Sequence, residues 1–203
     1  NIKVNGDTGS SNQLDPGVAI DDTGNFVVVW VDERNGNEDI YGRQFNSSGV
    51  PRGGDFRVSD DATAASQVDP AVDVDADGNF VIVWRDERNG SNARIYAQRY
   101  TSNGVPIGNN FQVSDSAPRG SSNPTVDIDD NTSEFAIARE DHREFNGNIY
   151  TQRYQSDGSK IDGNERVNND SGSASQFDPD IQYQNGIVYF AWEDDRVTNQ
   201  NLF

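Results

Sequence analysis

Residues 15–26 read DPGVAIDDTGNF and residues 69–80 read DPAVDVDADGNF, so the chain repeats one pattern along its length. A third copy, NPTVDIDDNTSEF, covers residues 123–135, and a weaker fourth copy begins as DPDIQYQNG at residue 178. The leading prolines are Pro16, Pro70, Pro124 and Pro179, at intervals of 54, 54 and 55 residues. Self-similarity at so regular a period is typical of tandem structural repeats.

Each copy predicts four short β-strands. The leading strand ends in a turn and is followed by an apolar run, such as FVVVWVDER from Phe26 or FVIVWRDER from Phe80. A turn rich in Asn and Gly then precedes DIYGRQF from Asp39, RIYAQRY from Arg94 or NIYTQRY from Asn148. A fourth strand of the type DFRVS or NFQVS closes the copy. The apolar runs have the composition of buried strands, and no stretch sustains a helical period.

We therefore predict an all-β chain that forms a β-propeller of four-stranded blades, with four repeats of about 54 residues. The single domain, 1–203, divides into repeats at about 13–66, 67–121, 122–175 and 176–203 plus 1–12. NIKVN at the start of the chain matches a fourth strand, and NLF at its end matches the start of a third strand. We therefore expect the two termini to share the last blade.

The pattern resembles a known family of propeller repeats. Residues 70–96, PAVDVDADGNFVIVWRDERNGSNARIY, are similar to the TolB-like repeat, as is the equivalent stretch from Pro16 to Tyr41. The longer third and fourth strands also resemble the tandem blades of secreted bacterial surface proteins. The resemblance implies a propeller fold and a location outside the cytoplasm, and it implies no particular activity.

The charge of the chain limits its partners. Sixteen Lys and Arg against 34 Asp and Glu give a formal net charge of −18, which disfavours nucleic acid and anionic membranes. No apolar run approaches the roughly 18 residues of a membrane-spanning helix, so we expect no membrane insertion. We expect instead a secreted or cell-surface protein that binds a polysaccharide, a protein surface or copies of itself.

An Asp-x-Arg motif recurs at the end of the second strand in every copy. Its members are Asp32 with Arg34, Asp86 with Arg88, Asp141 with Arg143, and Asp194 with Arg196. A group that every blade carries is usually needed to build the blade, so we interpret the motif as a structural ion pair rather than a ring of binding groups.

Acidic residues in and beside the first turn are the candidate metal ligands. Asp73, Asp75 and Asp77 have a D-x-D-x-D-G spacing that can place oxygen ligands around a hard cation, so Ca²⁺ is the expected cofactor. The related copies contribute Asp21, Asp127 and Asp129. The alternative is an Asx-type turn without an ion. Asp73 and Asp127 occupy equivalent positions in the leading strand, where they could line a central channel.

The sequence does not identify a catalytic pair. His142 is the single histidine, and no Cys or G-x-S-x-G motif accompanies it, so no nucleophilic triad is predicted. Carboxylates for glycosidase chemistry are abundant, but abundance in an acidic chain selects none of them. The third copy does depart from the others, at Arg139, His142, Glu144 and Phe145.

Two classes of function follow from these observations. Near-identical blades favour a non-enzymatic extracellular module for adhesion, assembly or glycan and protein binding, in which strand sharing builds an oligomer or fibre. The alternative is a calcium-dependent polysaccharide hydrolase or lyase. Clustered polar and aromatic residues in one divergent blade would favour the enzyme.

Overall fold

The computed structural model describes residues 1–115, 119–169, 172–196 and 201–202. The described residues form fifteen strands in four separate antiparallel sheets and contain no helix. They therefore include no helix that could span a membrane. Each sheet keeps its strands in chain order, as the blade of a propeller does. The predicted all-β propeller with four repeats is confirmed.

The strands follow the repeats closely. The first blade contains β1 Gln13–Ile20, β2 Phe26–Asp32, β3 Asp39–Phe45 and β4 Phe56–Arg57. The second contains β5 Gln67–Val74, β6 Phe80–Asp86, β7 Arg94–Tyr100 and β8 Pro106–Gln112. The third contains β9 Ser121–Ile128, β10 Phe135–Asp141, β11 Asn148–Tyr154 and β12 Lys160–Arg166. The fourth contains β13 Gln176–Gln184, β14 Ile187–Asp194 and β15 Asn201–Leu202.

Apolar clusters between successive blades hold the fold together. Successive side chains of a strand point to opposite faces, so β6 sends Ile82 and Trp84 towards the first blade and Val81 and Val83 towards the third. All four side chains are buried. Stacked rings repeat at the same place, as between Phe80 and Tyr100. The second strand of each inner blade is therefore apolar on both faces.

The first strands β1, β5, β9 and β13 lie side by side around the central channel. Each carries a bulge where the residue before its proline takes a positive φ, at Asp15, Asp69, Asn123 and Asp178. Asp and Asn tolerate this left-handed conformation better than most residues. We use the term upper end for the end of the channel that holds these bulges and the turns between the second and third strands of each blade. The lower end is the opposite one, with the turns between the first and second strands.

The terminal blades differ from the inner ones. Val4 of the N-terminal segment packs on the cluster of Trp30 and Tyr41 in the first blade, in the way that Val58, which follows β4, joins the cluster between the first and second blades. The fourth sheet has three strands, and among the described residues no ladder joins residues 1–7 to β15. Val18 at one end of the blade series and Tyr189 at the other are exposed, although their equivalents in inner blades pack against a neighbour.

Candidate functional site

The Asp-x-Arg motif forms an ion pair within each blade. In the first blade, Arg34 donates from its backbone N and Nε to Asp32 Oδ1 at 2.9 Å each, and from Nη2 to Oδ2 at 2.6 Å. Trp30 Nε1 donates to the same carboxylate at 2.8 Å, and the guanidinium lies 4.3 Å from the centroid of the Tyr41 ring. Burial alone would raise the pKa of Asp32, but the hydrogen bonds from Arg34 and Trp30 hold it below its ordinary value.

The second and third copies of the motif pair through the same atoms, and the fourth pairs through Arg196 Nε. Equivalent ion pairs join Asp86 with Arg88, Asp141 with Arg143, and Asp194 with Arg196, at 2.7 Å in each case. The Asp side chains are fully buried. Their charges are used inside the blade, where they fix the turn that follows the second strand.

The acidic turns use their carboxylates to hold their own backbone. Asp75 Oδ1 accepts hydrogen bonds from the backbone N of Asp77 at 3.0 Å and of Asn79 at 2.8 Å, and Asp21 does the same in the first blade. Asp129 Oδ1 accepts from Asn131 N at 2.9 Å. Asp77 is exposed on the turn. Within the described ranges, no three acidic, His or Cys side chains form a group able to hold a metal ion.

Asp73 and Asp127 lie at the lower end of the channel, where they link neighbouring blades. Asp73 Oδ2 accepts a hydrogen bond from Ile128 N at 2.8 Å, and Asp127 Oδ2 accepts from Tyr183 N. Both border a small cavity of about 130 Å³. Burial and the neighbouring Asp127 raise the pKa of Asp73 to about 7, and burial with nearby carboxylates raises that of Asp127 to about 6.

A larger cleft, of about 860 Å³, opens at the upper end between the second and third blades. Asp69 and Arg85 line it from the second blade, and His142 and Phe145 line it from the third. Arg119, which follows the second blade, borders it as well. His142 and Phe145, two of the four residues at which the third repeat departs from the others, therefore line this cleft.

Phe145 occupies a position that the first two blades give to glycine. Gly36 and Gly90 stand at the equivalent place, and all three residues donate the same turn hydrogen bond to the carbonyl three residues earlier. Phe145 has a φ of 75°, which is strained for a residue with a side chain. Its side chain is 83% exposed. Such strain on an exposed aromatic is characteristic of functional positions.

Arg119 lies over the ring of Phe145, with its guanidinium carbon 3.9 Å from the ring centroid. Its backbone is held firmly, because its carbonyl accepts a hydrogen bond from the buried Arg94 at 3.0 Å. The next residue, Gly120, accepts from His142 N at 3.2 Å. These bonds place a cation and an aromatic ring together at the lip of the cleft.

Two carboxylates with different surroundings lie at the cleft: Asp69 lines it, and Glu140 contacts Ser122 and His142 of the lining. Burial raises the pKa of Asp69, Arg85 counteracts this, and the negative charges of Asp15 and Glu140 add to the rise. Glu140 is buried and accepts hydrogen bonds from Asn123 Nδ2 at 2.7 Å, Asp178 N at 2.9 Å and Ser122 Oγ at 3.1 Å. A half-buried acid thus lies near a carboxylate whose negative charge is compensated by three donors.

His142 belongs to the same network. Its Nε2 lies 3.1 Å from Ser122 Oγ and 3.5 Å from Glu140 Oε2. In a nucleophilic triad the acid holds one ring nitrogen while the hydroxyl meets the other. Here both groups meet the same nitrogen, so the serine is not activated as a nucleophile.

Two other divergent residues of the third blade have structural contacts. Arg139 replaces the buried tryptophan of the other blades, and its Nη2 donates to Asn164 Oδ1 at 2.5 Å. Its Nε and Nη1 are buried without a hydrogen-bond partner. Glu144 pairs with Arg166 at 3.1 Å on the exposed rim. Neither lines the cleft.

Sequence reasoning did not select Asp69 or Glu140. Asp69 begins the most regular copy of the repeat, so its motif indicated only structure. Glu140 carried a usable signal, because Val31 and Arg85 stand at its position in the first two blades. That substitution was obscured by the high acidic content of the chain.

No protein-family model matches the chain, and no curated protein matches it. Solved structures do match its fold. An endo-arabinase from Bacteroides thetaiotaomicron superposes with a TM-score of 0.53 at 13% identity, over 93% of this chain and 72% of that one. An α-L-arabinofuranosidase from Lactobacillus brevis superposes with a TM-score of 0.55 at 14% identity, over 95% and 66%. A Hadza microbial sialidase superposes with a TM-score of 0.62 at 14% identity, over 94% and 43%.

These similarities support the propeller fold, and the chain spans between about two fifths and three quarters of the length of these structures. They also correct one expectation. The predicted non-enzymatic module for adhesion or fibre assembly is wrong, because the matching structures are mostly glycoside hydrolases. Near-identical blades favoured a binding role only because they conceal the few positions at which one blade differs.

Proposed function

We propose that this protein is a glycoside hydrolase whose active site is the upper cleft between the second and third blades. The observation that carries the proposal is that Asp69 lines a cleft of about 860 Å³ together with His142 and Phe145 of the divergent third blade, while Glu140 contacts Ser122 and His142 of that lining. A cleft of this volume is large enough for a short stretch of glycan. The arabinan-degrading enzymes among the matching structures add support at the level of the fold.

Asp69 is the general acid in this proposal. Hydrolysis of a glycosidic bond requires one carboxyl group that is protonated near neutral pH, to protonate the departing oxygen, and a second that is ionised. A raised pKa keeps Asp69 protonated at a higher pH than an ordinary aspartate, and its half-buried position leaves it accessible from the cleft.

Glu140 is the second carboxylate. Its three hydrogen-bond donors fix its orientation and compensate its negative charge, and Asn123 connects it to Asp178 of the fourth blade at 2.7 Å. In this role its carboxylate stabilises the positive charge that develops on the sugar ring and either attacks the ring or activates water. Phe145 offers an apolar surface to a sugar face, and His142 and Ser122 offer hydrogen bonds to hydroxyl groups.

The finer expectations from sequence belong to this proposal. We propose that the substrate is a polysaccharide outside the cell and that the repeats share the ancestry of TolB-like and bacterial surface-protein blades. Calcium also stays a prediction, and no step of the reaction is assigned to it, since the carboxylates of Asp21, Asp75 and Asp129 already accept amides of their own turns.

The test is sugar release from a panel of polysaccharides, including arabinan, sialosides and polyuronides. Asp69→Asn and Glu140→Gln are each expected to lower kcat by about 10² to 10⁴-fold, with unchanged melting temperature. Asp22→Asn, an exposed change at the lower end of the channel, is the matched control and is expected to retain activity. Full activity in both cleft variants, or no cleavage of any glycan by the native protein, contradicts the proposal.

A further inference from the structure

We infer that the cleft takes an acidic glycan, one with a uronic acid or another carboxylate-bearing sugar, whose carboxylate is bound by Arg119. The inference deepens the proposed function and rests on it for the chemistry of cleavage. Its own basis is the charge of the cleft, the free guanidinium of Arg119 and the shape of the lip.

The cleft has a charge opposite to that of the chain. Acidic residues outnumber basic ones by 34 to 16 in the whole sequence. The cleft is lined by Arg85, Arg119 and Arg143 together with one carboxylate, Asp69, and a second carboxylate, Glu140, contacts Ser122 and His142 of the lining. A positive lining in a strongly negative protein attracts an anionic ligand to this place and repels it elsewhere.

The three arginines differ in their availability. Arg143 is held by Asp141 and Asp115 at 2.7 Å each, and Arg85 pairs with Glu87 at 2.8 Å. In the described part of the chain, no carboxylate lies within ion-pair distance of Arg119. Arg119 is exposed, and the contact of its guanidinium within the described ranges is with the face of the Phe145 ring.

The stacked arrangement prepares Arg119 to bind a carboxylate. Stacking uses the flat face of a guanidinium and leaves its N–H groups directed outward in the plane, where they match the two oxygens of a carboxylate. The ring fixes the orientation of the side chain, so less conformational freedom is lost on binding. The rest of the exposed Phe145 ring can contact the apolar face of the same sugar.

The strain at Phe145 supports the same conclusion independently. The first two blades place glycine in this turn, at Gly36 and Gly90, and both adopt the positive φ without a side chain to strain it. A phenylalanine at φ 75° contributes no buried core, so its effect is to hold the guanidinium of Arg119 at the lip.

The test compares matched pairs of oligosaccharides by calorimetry, without added divalent cations. The probes are oligogalacturonate, oligoglucuronate and oligomannuronate, each with a counterpart whose carboxylates have been reduced to hydroxymethyl groups. We expect at least one uronate to bind tenfold or more tightly than its reduced form. Arg119→Gln should abolish that preference, whereas Arg52→Gln, an exposed change of the same charge remote from the cleft, should keep it within twofold.

Equal binding of charged and reduced glycans, or a preference that survives Arg119→Gln, overturns the inference. Cleavage of neutral glycans that depends on Asp69 and not on Arg119 leaves the hydrolase standing and removes the acidic substrate. A uronate preference lost in Arg119→Gln, with no cleavage of any glycan, supports the ligand class and removes the hydrolase.

Discussion

Removing the ring of Phe145 is expected to weaken glycan binding at almost no cost in stability. The side chain is 83% exposed, so its loss uncovers little core. Phe145→Gly relieves the left-handed strain, worth about 1 to 2 kcal/mol. Loss of the Arg119 contact costs about 0.5 to 1 kcal/mol, and the added freedom of glycine in the unfolded chain costs about 0.4 to 1 kcal/mol. These effects nearly cancel.

The expected loss of affinity is larger. A sugar that covers about 60 Å² of the ring gains roughly 1.5 kcal/mol at about 25 cal/mol per Å². Its removal should therefore weaken binding about tenfold. Calorimetry with the glycan that the native protein binds measures this change, and thermal unfolding measures stability.

Phe145→Ala separates the ring from the strain. Alanine also removes the ring but keeps a Cβ at φ 75°, so it should bind as weakly as the glycine variant and melt about 2 to 4 °C below it. Phe145→Tyr should bind like the native protein. The reasoning is refuted if glycine and alanine bind as tightly as phenylalanine, or if the glycine variant loses more than about 2 kcal/mol of stability, which would show that the ring has a structural role.

Three further outcomes are expected. Because the folded pKa of Asp73, about 7, lies above the unfolded value of about 3.9, the folded state binds more protons between these values, so stability should fall as pH rises from about 4 to 7. Asp73→Asn should flatten this dependence in denaturant titrations and raise stability at pH 8 by about 1 kcal/mol or more; an unchanged profile contradicts it. Arg139→Trp should raise the melting temperature, since it removes two unpaired buried donors and restores an indole that can donate to Asp141 as Trp84 does to Asp86; a lower melting temperature shows that the site is too small for the indole. If the acidic turns bind calcium as predicted from sequence, saturating calcium raises the melting temperature over a chelated sample and Asp75→Asn removes the difference; identical melting sets the calcium prediction aside.

The sequence was sufficient for the fold because each strand depends on local composition. Runs such as FVIVWRD predict a strand buried on both faces, and β6 is that strand. The period then fixes the number and order of the blades. The fourth strand has two residues in the first blade, as β4, and seven in the second blade, as β8. The length of this outer ladder therefore varies between blades while the fold stays the same.

The candidate metal ligands show that spacing alone does not fix where each carboxylate lies. A D-x-D-x-D-G pattern was interpreted as a loop around a cation, but the strand ends at Val74 and the turn begins at Asp75. Asp73 therefore belongs to the channel and bonds to the next blade, while Asp75 bonds to its own turn. The same spacing in a continuous loop would direct the carboxylates inward, which a strand followed by a tight turn does not.

The candidate active site lay beyond sequence reasoning for a related reason. Asp69 and Glu140 lie on different blades, and only the packing of β5 beside β9 brings them together. The sequence did contain the positions at which one repeat differs from the others. In a repeat protein the fold is secured by what the blades share, so a residue that breaks the pattern at a cost, as Phe145 does in a turn suited to glycine, is best explained by what it contacts outside the fold. His142 and Phe145 break the pattern in one blade and line one cleft, and Glu140 contacts that lining, whereas Arg139 breaks the pattern in the core and donates to Asn164. Position in the structure, added to divergence in the sequence, therefore separates the candidate functional residues from neutral substitutions.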